Sequence, residues 1–472
     1  MDVHKNGILK TAFILWSVFL LTPSAFSQEQ HPAEAKSDSN TLRNKLMKYG
    51  TFHAHARSFV MATDNANPLT DYVAWGLGAG IGYESPKWKG LQFGISGFFI
   101  FNVASTDLVK KDSLANAYNR YEIGLFDINN PQNRHDLDRL EELYLRYNFR
   151  KSKIEVGRFI LNTPFINMQD GRMRGTVEEG AWFEINEVKK LKMEGGWLWR
   201  ISPRSTVTWY TIGNSMGVYP VGVNEWGTKS NYAGNIKSAG VGLLGITYAP
   251  VKQLKLQVWE QFTENVFNTA MVQADAKIPL SKTTDLQAGL MYVRQDAINC
   301  GGNCDSSKTY FTKGSSSNII SSKLGVLWNK LDASVNYTHI TDDGRFLMPR
   351  EWGREPFYTF LPRERNDGAG NVHAITAKLS YAFFNGTLKP SIGYGHYYIP
   401  DVKNYRLNKY GMPSYNQLNV DVRYSFPKYL KGLSLQLLMV YKGKLGNTYS
   451  DYRYVFNKVN MFNWNFVVDY RF

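Results

Sequence analysis

Between Asn457 and Phe472 the chain alternates apolar and polar side chains. Phe462, Trp464, Phe466, Val468, Tyr470 and Phe472 share one face; Met461, Asn463, Asn465, Val467, Asp469 and Arg471 share the other. Period two is the mark of a β-strand, whose side chains point alternately to opposite faces. An aromatic and aliphatic face backed by amides and charges fits a strand with lipid on one side and a polar lumen on the other. A half-buried strand of a soluble sheet alternates too, so the rest of the chain has to decide.

The same alternation recurs at 51–62, 75–83, 91–101, 140–150, 153–162, 180–189, 192–203, 240–250, 254–265, 268–279, 284–297, 317–330, 332–343, 372–384, 388–400, 417–427, 433–446 and 458–472. In the second of these, Trp75, Leu77, Ala79, Ile81 and Tyr83 oppose glycines at 76, 78, 80 and 82. Each run is long enough for a tilted transmembrane strand of roughly ten residues. The links between them alternate in length. Short ones fall at Ser85 to Gly90, Lys151-Ser152, Val251 to Gln253, Ser281 to Thr283, Leu331, Asn385 to Thr387 and Pro427 to Gly432. Long ones span 104–139, 204–239, 298–316, 344–371 and 401–416. Outer-membrane barrels sort their connections in this way, with short periplasmic turns and long outer loops. The pattern predicts an all-β protein: a transmembrane antiparallel β-barrel of about 18 strands with both termini periplasmic.

The N-terminus sets the compartment. Lys5 and Lys10 precede an apolar run from Ala12 to Leu21, Pro23 breaks it, and Ala25-Phe26-Ser27 supplies small residues before Gln28. That is a secretory signal peptide pattern, too short to span a bilayer. The expected organisation is a signal peptide over 1–27, cleaved near Ser27, a polar periplasmic tail over 28–49, and a barrel over 50–472. Aromatic residues make up 14% of the 472 residues, yet the mean hydropathy is only −0.35. Many rings in a chain of low hydropathy suit aromatic girdles around a polar lumen.

The net charge is +15. Export argues against nucleic acid as its partner. Two readings stand: a positive lumen that draws anions, and basic loops facing anionic lipopolysaccharide. The only cysteines, Cys300 and Cys304, suit a small loop disulfide in an oxidising compartment. Two ligands alone make a poor metal site, so neither metal nor cofactor is expected.

The stretch from Val156 to Gly180 resembles the OprD family of outer-membrane porins. Gly157, Pro164, Asp170, Arg172, Glu179 and Gly180 carry the resemblance, which runs from a strand end through the third outer loop. The family is similar to this chain in having a signal peptide, eighteen strands and a large seventh loop. The resemblance implies a narrow, substrate-selective channel for passive diffusion, in which the third and seventh loops (here about 163–179 and 344–371) fold inward. It also implies a row of basic residues guiding carboxylates along one wall, and it admits either a monomer or a trimer.

Face parity names the basic residues that should point inward: Arg57, Arg146, Lys378, Arg423, Lys442, Lys444 and Arg471. Each lies opposite an apolar row, as Arg146 lies opposite Leu143, Leu145 and Tyr147. Arg158 has the parity of the apolar face and needs either the water interface or a bulge. Constriction candidates crowd two loops: Asp170, Arg172, Arg174, Glu178 and Glu179 in one, Arg345, Arg350, Arg354, Arg363 and Arg365 in the other. Opposed charges across a gap would orient zwitterions; the same charges would alternatively pin the loops by ion pairs. Expected solutes are anionic or zwitterionic, such as carboxylates and amino acids. The competing classes are an outer-membrane enzyme and a structural barrel with a plugged lumen. No Gly-x-Ser-x-Gly, His-Glu-x-x-His or phosphate-loop pattern occurs. His53 and His55 share a face with Arg57, near the periplasmic start, with no matching serine or carboxylate cluster in the sequence around them.

Overall fold

The computed structural model describes residues 49–168 and 171–472. The expected signal peptide and nearly all of the expected tail lie outside the described residues, as does Asp170. One antiparallel sheet contains β1 (Thr51–Asp64), β2 (Tyr72–Glu84), β3 (Leu91–Ser105), β4 (Arg139–Phe149), β5 (Ser152–Phe159), β6 (Val177–Ile185) and β7 (Leu191–Ser202). It continues through β8 (Tyr210–Thr211), β9 (Val241–Val251), β10 (Leu254–Thr263), β11 (Phe267–Pro279), β12 (Thr284–Ala297) and β13 (Ser316–Trp328). The remaining strands are β14 (Leu331–Ile340), β15 (Val372–Tyr381), β16 (Leu388–Tyr398), β17 (Tyr415–Ser425), β18 (Leu433–Lys444) and β19 (Met461–Arg471). β8 is a two-residue addition to β7. The other eighteen pair with their sequence neighbours, β7 pairing with β9, and β1 closes the ring against β19 from His55↔Arg471 to Asp64↔Phe462. Closure leaves no unpaired strand edge, a requirement for a sheet in lipid.

The eighteen runs of alternation correspond one for one to the eighteen long strands. Leu143, Leu145 and Tyr147 are exposed on the outside, Leu145 by 58%, while Tyr144 between them is buried. On β19, Asn463 and Asn465 are buried inside the barrel. The glycines of β2 have a steric cause. The Phe98 ring of β3 lies across Gly78 and Gly80, where an added Cβ would come within 2.6 and 2.5 Å of it.

Numbered in chain order, the outer loops are 65–71, 106–138, 160–176, 203–240, 264–266, 298–315, 341–371, 399–414 and 445–460. Loop 4 (203–240) holds β8 and a single helical turn, α1 (Ile212–Ser215), neither of which has a period in the sequence. The outer half of the barrel is filled from within. Phe165 and Ile166 of loop 3, Tyr232 of loop 4 and Phe346 and Trp352 of loop 7 join one apolar cluster. Leu108, Leu125 and Phe126 of loop 2 join Phe59 and Phe98 of the wall in a second. Burying these rings gives the loops a reason to fold inward rather than stand in solvent.

Candidate functional site

Loop 7 is fastened along the inner wall of half the barrel. Tyr358 Oη donates to Asp275 of β11 (2.6 Å), and Tyr358 N donates to Ser321 Oγ of β13 (3.1 Å). Thr338 of β14 bonds Thr359 (2.8 Å), Lys378 Nζ of β15 donates to Tyr358 O (2.6 Å), and Tyr397 Oη of β16 donates to Thr359 O (3.1 Å). Gln417 and Asn419 of β17 both donate to Pro362 O, Lys442 Nζ of β18 donates to Arg363 O (2.6 Å), and Arg363 itself donates to Asn463 and Asn465 of β19. The polar inner face of these strands is a track of donors for the carbonyls of one loop, which satisfies groups that would otherwise be costly to bury.

The other loops are stitched to loop 7 and to each other. Asn167 of loop 3 donates to Trp352 O and exchanges hydrogen bonds with Arg354, and Glu351 accepts from Gly217 N and Tyr219 N of loop 4. Ser205 of loop 4 donates to Gly124 O of loop 2 (2.7 Å). The constriction thus has four contributors. Loops 3 and 7 are the two that the family resemblance implies; loops 2 and 4 contribute as well.

Where the four loops meet, a cavity of about 190 Å³ opens in the lumen. Its described lining holds nine arginines and one acidic residue, Glu364. Arg57 and Arg423 come from the wall, Arg120 from loop 2, Arg172 from loop 3, Arg204 from loop 4, and Arg350, Arg354, Arg363 and Arg365 from loop 7. Tyr121, Tyr219 and Phe360 supply rings between them. Arg354, Phe360 and Pro362 also line a larger space of about 430 Å³ that holds Lys323 and Lys378, so the two spaces adjoin across loop 7.

Several of these arginines have carboxylate partners. Arg57 holds Asp469 at 2.6 Å, Arg350 holds Asp367 at 2.8 Å with Arg365 beside it at 3.8 Å, and Arg423 holds Asp421 at 3.1 Å. Arg120, Arg172, Arg204 and Arg363 have none within salt-bridge distance among the described residues. Arg172 donates to Gly171 O, and the Nε atoms of Arg172 and Arg204 are buried without an acceptor. Burial, then Arg363 and Arg204, hold the Arg172 guanidinium well below its usual range. Burial is also the larger cause that lowers Arg363 to about 10, with Arg204 contributing and Tyr121 opposing. Like charges in one site each disfavour the other's ionisation. Glu364 does little to offset them, because burial and then Glu355 push its carboxyl well above the ordinary range.

The other sequence candidates are placed as follows. Arg146 faces inward and pairs with Glu84 (2.9 Å) and Glu155 (2.8 Å). Lys378 and Lys442 face inward as loop anchors. Lys444 is exposed near Thr448 at the outer rim, and Arg471 is exposed at the opposite rim. Arg174 donates to Leu137 O, and burial, then Arg139, lower it to about 9. Arg345 donates to carbonyls of Val223, Asn224, Tyr405 and Arg406 and so ties loops 4, 7 and 8 together. Among the lining residues it is absent, a correction to its expected place in the constriction.

Two further corrections concern the acidic residues. β6 begins at Val177, so Glu178 and Glu179 are wall residues rather than loop residues. Glu178 is buried and accepts from Leu161 N (3.0 Å). Glu179 pairs in register with Arg158 on the side of Leu143 and bonds it at 2.9 Å, with Trp199 donating to it. The outward parity of Arg158 is explained by this partner, and Glu179 leaves the constriction. A carboxylate also joins His55: Asp469 of the last strand lies 2.5 Å from its Nε2, but Arg57 grips the same carboxylate with two bonds (3.0 and 2.6 Å). Cys300 and Cys304 are bonded within loop 6, their Cα atoms 4.9 Å apart. Among the described residues no group of three or more metal-ligating side chains is assembled.

Arg120, Arg204 and Tyr219 are the functional candidates missing from the sequence reading. They lie in long loops without a period, where no face can be assigned. The one local signal is that Pro203-Arg204 follows β7 directly, at the barrel's inner edge.

A closed eighteen-stranded barrel with an arginine-lined constriction made by inward loops defines a porin. The model of the outer membrane porin OprD family matches residues 111–355, just over half of the sequence. The chain belongs to the OprD family of outer membrane porins. Among curated proteins, none matches it. Solved structures agree in fold. Acinetobacter baumannii OccAB4 is 16% identical with a TM-score of 0.70, covering 90% of this chain and 98% of its own. Pseudomonas aeruginosa OccD3 (OpdP) is 13% identical with a TM-score of 0.67, covering 91% and 92%. Pseudomonas aeruginosa OpdK, solved with vanillate, is 14% identical with a TM-score of 0.69, covering 90% and 99%. The family's members are outer membrane porins, whose barrels reside in the Gram-negative outer membrane.

Proposed function

We propose that this porin passes small anionic solutes by passive diffusion, after export and loss of residues 1–27. The observation that carries the reading is the set of four arginines, Arg120, Arg172, Arg204 and Arg363, that converge on one cavity without a carboxylate partner among the described residues. Uncompensated guanidiniums at a narrowing attract anions and repel cations, as rings of basic side chains do in anion pores. Guanidinium forks also match carboxylates in a bidentate geometry. Vanillate, bound in the OpdK structure, is a carboxylate, which agrees with that chemistry. A zwitterion filter would need carboxylates facing the arginines. Among the described acidic candidates, Glu178 is buried in the wall and Glu179 faces outward, which favours the anionic alternative.

The test is the zero-current potential of the refolded mature protein in a planar bilayer under a KCl gradient. A potential of the sign set by chloride supports the reading. A potential set by potassium overturns it, and a folded barrel without conductance would return the plugged structural barrel.

A further inference from the structure

Charge matching in the constriction points beyond anions in general. Arg57, Arg350, Arg365 and Arg423 all stand against aspartates, so a solute gains little by meeting them alone. Four others of the nine, Arg120, Arg172, Arg204 and Arg363, arrive from four different loops. Those that are anchored are held by neutral acceptors: Arg363 by the side-chain oxygens of Asn463 and Asn465, Arg172 by the carbonyl of Gly171. Neutral anchors fix a guanidinium's position and leave its charge in place. The nearby acids do not cancel the set. Glu122 is fully buried and accepts from Thr63 and Asn119, and Glu364 is buried with one oxygen bonded to Leu361 N. Were both ionised, two of these four positive charges would still be unmatched among the described residues.

A solute with a single carboxylate would leave most of that charge unmatched in a small, partly desolvated space. Unmatched charge there is costly, and each additional guanidinium–oxyanion contact lowers the cost. We propose that the constriction selects small solutes carrying two or more negative charges, with the anionic groups spaced to engage at least two of these four arginines. Di- and tricarboxylates and phosphomonoesters share that chemistry. The proposal rests on the anion reading above and narrows it.

The experiment measures block of chloride current through the reconstituted full-length mature barrel by a matched series: propionate, succinate, citrate, glycerol phosphate and neutral glycerol. The expected result is a half-blocking concentration at least tenfold lower for succinate, citrate or glycerol phosphate than for propionate, with no block by glycerol. Stronger block by the carboxylates or by the phosphate assigns the source. In the variant carrying Arg120→Gln and Arg204→Gln the gap between multiply and singly charged blockers should shrink severalfold, while R453Q, an exposed loop 9 position paired with Asp451, should retain it. Heat-modifiable migration on gels checks that each variant is folded. Chloride selectivity with equal block by propionate and succinate overturns this proposal and leaves the anion reading standing. Potassium selectivity overturns both.

Discussion

The basic residues of the wall and those of the loops differ in one respect that decides what they can do. On the wall near the turns, Arg146 lies between Glu84 and Glu155, Lys153 between Glu155 and Glu184, and Lys192 beside Glu184 and Glu194. Higher on the wall, Lys378 and Lys442 hold carbonyls of loop 7. In the loops, Arg120, Arg172, Arg204 and Arg363 face the same small cavity with neutral partners or none among the described residues. A basic ladder read from parity therefore counts charges that the fold has already matched. The uncompensated field comes from segments that have no parity.

Reversing loop charge should have the largest effect. With Arg204→Glu and Arg363→Glu together, the zero-current potential in a KCl gradient should change sign toward potassium; an unchanged anion preference would move the filter elsewhere. Next in size is release of loop 7. Lys378→Met with Lys442→Met leaves two buried carbonyls unpaired at about 1–3 kcal/mol each. Single-channel conductance should rise and solute discrimination fall, and an unaltered conductance would mean that the other donors suffice.

A smaller effect should follow pH. Burial, then Asp367, raise the Glu355 carboxyl from its ordinary 4.5 to about 7. The folded loop thus binds this proton more tightly than the unfolded chain does. Its contribution to loop 7 stability is fully present below pH 4.5 and is lost as pH rises through 7. Hydrogen exchange of residues 355–367, corrected for intrinsic rate, should show more frequent opening at pH 8 than at pH 5.5, and Glu355→Gln should remove the difference. The smallest change in selectivity is expected from Arg146→Gln, because Glu84 and Glu155 already match that charge. Its cost should appear as stability: buried Glu155 loses its 2.8 Å partner and keeps only Lys153 at 3.2 Å, readable as a lower temperature of heat modification with the reversal potential preserved.

Period two made the barrel legible. Lipid on one side and water on the other force each strand to alternate, so Phe462 to Phe472 and seventeen other runs announce themselves. The inward faces of Lys378 and Lys442 follow from the same rule. Their partners do not, because a loop carbonyl has no sequence signature. Glu179 shows how narrow the rule is. Starting the strand at Gly180 instead of Val177 leaves Glu179 in a loop, and its pairing with Arg158 is then invisible, although Arg158's own odd parity hints at an outward partner. Arg120 and Arg204 are illegible for a deeper reason: their loops are placed by apolar burial, as where Leu125 and Phe126 join Phe59 and Phe98 of the wall in one cluster of residues distant in sequence.

Anomalous diffraction from crystals of the mature protein soaked in bromide or selenate would test the central claim most directly. The expected result is a leading anomalous peak within contact distance of at least two of Arg120, Arg172, Arg204 and Arg363, with weaker or no occupancy at Arg146. Peaks along the wall ladder and an empty loop cavity would contradict the account.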